Sequence, residues 1–94
     1  MEMTRTFIKV QISPGQFSDE YTVTFEDAYG QKGLLICPKE FVHPQEDCAL
    51  MEIWKESEHK ELTCVRLPNH ILAHPNNFSA YTTVEKSKLI QIRV

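Results

Sequence analysis

Phe7-Ile8-Lys9-Val10-Gln11-Ile12 alternates apolar and polar side chains, with Ile8, Val10 and Ile12 on one side and Lys9 and Gln11 on the other. A period of two is the signature of an extended strand that buries one face and wets the other. Ser13-Pro14-Gly15 breaks the pattern, because proline cannot continue a ladder and glycine frees the turn. Beyond the break, Tyr21, Val23 and Phe25 alternate with Thr22, Thr24 and Glu26 and predict a second strand.

The same pattern recurs along the rest of the chain. Lys32 to Cys37 is a more continuously apolar strand, joined to the second by the polar turn Asp27-Ala28-Tyr29-Gly30-Gln31. Cys48 to Glu56 and Glu61 to Leu67 predict a second hairpin around the charged tip Ser57-Glu58-His59-Lys60. Ala80 to Val84 and Lys88 to Val94 predict a third, turning at Glu85-Lys86-Ser87, with Ile90, Ile92 and Val94 facing inward.

A weak internal repeat links Leu35 to Pro44 with Val65 to Pro75 at a spacing of about thirty residues. In each copy a strand runs into a proline, Pro38 or Pro68, whose fixed φ suits the first position of a helical turn. Each copy then presents an apolar pair, Phe41-Val42 or Ile71-Leu72, as a plug for one end of the core.

These elements predict a mainly-β domain spanning residues 1–94: an antiparallel barrel or two-layer sandwich of six or seven strands with one or two single-turn helices. Short barrels of the SH3-like kind resemble this arrangement of hairpins with a helical turn before a late strand, and the resemblance is architectural alone.

Composition narrows the functional classes. With 41% hydrophobic and 24% charged residues the chain can build a core, which argues against disorder. Its longest apolar run is Gly33-Leu34-Leu35-Ile36-Cys37, far below the roughly 20 residues of a membrane-spanning helix. No basic patch followed by an apolar stretch opens the sequence, so a cytoplasmic protein without a secretory signal is expected. Cys37, Cys48 and Cys64 are odd in number and lack a C-x-x-C spacing, which reads as free thiols in a reducing compartment. A net charge of -3 weakens a nucleic-acid reading, which needs Lys and Arg to displace counterions. Arg5, Lys9, Lys86, Lys88 and Arg93 could still share one basic patch if the terminal strands pair.

Candidate chemistry is sparse, and neither a catalytic residue nor a cofactor is expected. His70 and His74 would share a face of a helical turn, yet position 71 is isoleucine where a zincin would carry glutamate, and Pro75 bends His74 out of helical conformation. Cys37, His43, Cys48 and Cys64 have spacings that match no zinc ribbon or finger, and Cys37 or Cys48 beside His43 would be the only route to a thiolate nucleophile. Strict alternation places Trp54 with Leu50 and Glu52, opposite Ala49, Met51 and Ile53. If the latter set is buried, Leu50 and Trp54 form an anchor for a partner, whereas a bulge in the strand would turn Trp54 into the core. Phe78 and Tyr81, beside Asn76 and Asn77, add aromatic contact surface. The leading expectation is therefore a non-enzymatic module binding another protein or a second copy of itself through an exposed strand edge. A nucleic-acid-binding small barrel is the alternative, and a Cys/His metal protein or small enzyme comes third.

Overall fold

The computed structural model describes residues 3–68 and 81–93. Eight strands form one antiparallel sheet: β1 Thr4–Pro14, β2 Glu20–Glu26, β3 Lys32–Pro38, β4 Val42–Pro44, β5 Ala49–His59, β6 Leu62–Arg66, β7 Tyr81–Glu85 and β8 Ile90–Arg93. Two single-turn 3₁₀ helices, Lys39–Phe41 and Lys86–Lys88, precede β4 and β8. The strand order is β3-β2-β1-β5-β6-β7, with β4 on β5 and β8 on β1, and the sheet curls into a half-barrel. The Ala28 amide donates 2.8 Å to the Thr83 carbonyl, so the β2–β3 turn reaches across to β7 at the far end of the sheet. Among the described residues no helix is long and apolar enough to cross a membrane.

The alternating sets fill the concave side. Ile8, Val10, Val23, Leu35, Cys37, Ala49, Met51, Ile53, Val65 and Val84 are all buried, while Ile12, Tyr21 and Phe25 pack against them at its margin. Val42 and Leu89, which follow the two 3₁₀ turns, also face this core, and Phe41 packs against it as expected of a plug. Ile71, Leu72 and the turn expected after Pro68 lie outside the described residues.

The third expected hairpin does not form. β7 pairs with β6 and β8 pairs with β1, in the register Phe7↔Ile90 and Arg5↔Ile92. This register places Ile90 beside Phe7 and Ile92 beside Arg5 on the outer side, Ile92 being 40% exposed, rather than inward as the alternation predicts, and Val94 lies outside the described residues. Leu89 takes the inward role instead. The second hairpin is longer than expected: pairing runs to His59↔Leu62, leaving Lys60 and Glu61 as the turn, with Lys60 at φ 55.

The fold contains a repeat that differs from the one read in the sequence. β1 and β5 are both 11 residues long and pair with one another about Phe7↔Glu52. Each carries two short partners on its other edge: β2 and β8 on β1, β6 and β4 on β5. The unit β1-β2-β3-turn-β4 thus recurs as β5-β6-β7-turn-β8, an offset of about 45 residues, with each half donating its last strand to the other. In this repeat the turn after Pro38 corresponds to the turn at Lys86–Lys88, while the second copy of the repeat read in the sequence runs beyond Pro68, outside the described residues.

Gly15 seats the β1–β2 connection. A β-carbon there would lie 2.6 Å from the Glu20 carbonyl oxygen and 2.9 Å from its carbon, both backbone atoms. Gly15→Ala must therefore spread the hairpin, and it is expected to lower stability by about 1–3 kcal/mol, the range for overpacking. Chemical denaturation checks this, and an unchanged midpoint would show that the loop yields freely.

Candidate functional site

Hydrogen bonds at both ends of the β2–β3 ladder fix which groups point outward. The Asp27 amide donates to the Gln31 carbonyl at 3.0 Å, and the Lys39 amide to the Asp19 carbonyl at 3.0 Å. With the register Val23↔Leu35 between them, Gly33, Leu35 and Cys37 exchange bonds with β2, and by alternation Leu34 and Ile36 aim their N–H and C=O groups at the other edge. Among the described residues no strand pairs with that edge. From Gly33 to Cys37 the edge strand carries no charge and no bulge, the devices by which sheet edges ordinarily deter pairing.

The chain continues from this edge directly to the tryptophan. Three residues past Pro38, the ring of Phe41 meets Trp54 edge-on at 5.6 Å between centroids. The Arg66 guanidinium lies 4.5 Å over the other ring system, and Arg66 is in register with Trp54 on β5 and with Tyr81 on β7. Of the expected partner-binding residues, Leu50 and Trp54 are half-buried on the outer face, and Tyr81 is 50% exposed in the same row as Trp54. Phe78 lies outside the described residues. A bulge does exist in β5, but it falls between Lys55 and Ser57, after Trp54, so it leaves the ring on the face of Leu50 and Glu52.

On the same face Arg5 grips Glu52 with two hydrogen bonds, Nε to Oε2 at 2.8 Å and Nη2 to Oε1 at 2.6 Å. The Arg5 hydrogen bond holds the Glu52 carboxyl below its ordinary value against the opposing effect of burial. Phe7 packs between Arg5, 5.5 Å from its ring centroid, and the edge of the His43 ring at 5.5 Å. This second, outer cluster was not legible in the alternation, which makes Phe7 a wet-side residue.

The expected basic patch is partly neutralised. The terminal strands do pair, but of the five residues Arg5 is bound to Glu52 and Lys86 to Glu58 at 3.4 Å, and outside that set Arg66 is bound to Glu56 at 3.4 Å. Hydrogen bonding from Lys86 lowers the Glu58 carboxyl correspondingly.

The three cysteines are free thiols, Cys37 buried and Cys48 and Cys64 half-buried. Burial foremost, and the Glu40 carboxylate second, push the Cys37 thiol up to about 12, the reverse of what a nucleophile requires. Among the described residues no three His, Cys, Asp or Glu side chains gather as a metal site, and His70 and His74 lie outside them. No protein-family model, curated protein or solved structure matches this chain.

Proposed function

We propose that this chain is a non-enzymatic protein-interaction module that accepts an extended strand of a partner protein along the free edge of β3. The observation that carries this reading is the row of outward N–H and C=O groups at Leu34 and Ile36 on an uncharged apolar strand. Such an edge supplies main-chain hydrogen bonds for affinity, and alternate side chains supply specificity. Trp54 and Tyr81, with Leu50, are the side-chain anchors, since Phe41 links the end of the edge to the Trp54 ring. Aromatic rings beside guanidinium groups are the residue types most enriched at binding hot spots. A reducing, cytoplasmic setting belongs to the same reading and is supported by three free thiols. The nucleic-acid alternative has less support, because Arg5, Arg66 and Lys86 are engaged by carboxylates and have less charge to offer a phosphate.

Ile36→Pro tests the edge. The Ile36 amide points away from β2, so proline removes no ladder bond yet blocks an incoming strand. Partners captured from the native host by the wild-type chain should be lost by the folded Ile36→Pro variant, with folding checked by circular dichroism. If the partner is a second copy, sedimentation should show a wild-type dimer and a variant monomer. Undiminished capture by Ile36→Pro would overturn the reading, as would a salt-sensitive complex with single-stranded nucleic acid as the sole species bound.

A further inference from the structure

The two halves of the fold differ at one equivalent place. Along the outer edge of β5, β4 covers Ala49 to Met51 and β6 begins at Trp54, so the two partners diverge around Glu52. Beside that split the first 3₁₀ turn ends on Phe41, whose ring abuts Trp54. Along the corresponding edge of β1, β8 covers Thr4 to Phe7 and β2 begins at Gln11. Here the second turn ends on Lys88, and the position equivalent to Trp54 is Lys9. Along β1 a lysine, Lys9, thus stands where β5 carries Trp54, while Ile90 holds the ladder position that Phe41 occupies in the other half.

Among the described residues the second split is open. It forms a groove of about 550 Å³ whose walls include Ile8, Val10, Phe25, Val84 and Ile90. That volume falls within the range of small-molecule sites. The alternation that turns Gln11 and Ser13 toward β2 also turns the Lys9 N–H and C=O into the gap between the end pairs Gln11↔Thr24 and Phe7↔Ile90. Lys9 and Lys88 line the groove, both are exposed, and among the described residues neither is in an ion pair. Among the described residues Glu26 is the one carboxylate lining it, so two cations face one anion.

We infer that this groove binds a small monocarboxylate with an apolar tail, the tail lying on the half-buried Phe25 and Ile90 and the carboxylate meeting Lys9 and Lys88. The carboxylate offers a counter-charge to both exposed ammonium groups and can accept from the Lys9 amide. The groove opens on β1 and not on β3, so the site goes beyond the strand-binding reading and stands or falls separately from it.

Calorimetric titration of the full chain with decanoate, below its micelle-forming concentration, tests the proposal, with decanol and decylammonium as controls and amide NMR shifts to locate the site. Decanoate should bind saturably, one per chain, shift the Lys9 amide, and bind more tightly than decanol or decylammonium. Lys88→Glu, an exposed change that leaves the core intact, should weaken decanoate about tenfold by exchanging attraction for repulsion. Lys9→Glu repeats the test from the opposite wall. Ile36→Pro should leave decanoate binding unchanged. Absence of saturable binding, equal binding of decylammonium, or shifts that cluster away from β1 and β8 would each overturn the assignment.

Discussion

Leu35→Ala is expected to remove about 3 kcal/mol of stability, within the range of roughly 2–5 measured for large-to-small changes in well-packed cores. Leu35 is fully buried on β3, in register with the fully buried Val23, and is the largest of the completely buried side chains. Its loss leaves a cavity that a sheet hydrogen-bonded along its length closes poorly. A domain of this size has only about 5–15 kcal/mol in total, so the variant should melt roughly 10–20 °C lower. Leu34 sits one residue away on the opposite face and is half-buried. Leu34→Ala should therefore cost less than half as much. Urea unfolding of both variants, with the slope unchanged, checks the pair. Equal losses would mean that β3 does not present Leu35 to the core, and with that the edge assigned to Leu34 and Ile36 would be wrong.

The alkaline limb of stability should be governed in large part by Cys37. Its folded-state value is raised to about 12, from an ordinary thiol value of 9.0, chiefly by burial and secondarily by Glu40. The fold therefore favours the protonated thiol. That contribution is fully present below about pH 9 and is lost as pH rises from there toward 12, because the unfolded chain releases its proton first. The slope is about 1.4 kcal/mol per pH unit across that window, so the expected loss approaches 3 kcal/mol by pH 11. Cys37→Val keeps an apolar group of similar size and should flatten this part of the profile, whereas Cys48→Ser should not. The difference between wild type and Cys37→Val isolates the thiol from the tyrosines and lysines that titrate in the same range. Parallel profiles would show that Cys37 ionises freely in the native state, and the thiolate chemistry set aside above would return.

Much of this molecule is legible from residue order because alternation is local. Ile8 and Val10, Val23, Leu35 and Cys37, and Ala49, Met51 and Ile53 all point to the core as their spacing requires. The helical turn after Pro38 is also local, since proline sets its first dihedral and Phe41 and Val42 need only follow. Both sequential hairpins formed for the same reason. For Trp54 the alternation grouped it with Leu50 and Glu52 but left open whether a bulge turns it inward, and its neighbours Phe41 and Arg66 reach it from elsewhere in the sheet.

What residue order left open was every pairing between distant segments. Ile90 and Ile92 alternate as well as any strand here, but nothing local says that their partner is β1 rather than β7. That choice moved Ile92 outward, built the cluster around Phe7, and opened the groove where β8 and β2 diverge. The identity of the free edge was decided in the same way, by the order β3-β2-β1-β5-β6-β7. A side chain's face depends on its immediate neighbours in the chain, so sequence determined which residues are buried on each strand. A strand's partner depends on competition among all edges for hydrogen bonds and apolar contact, and only the assembled sheet resolves that competition.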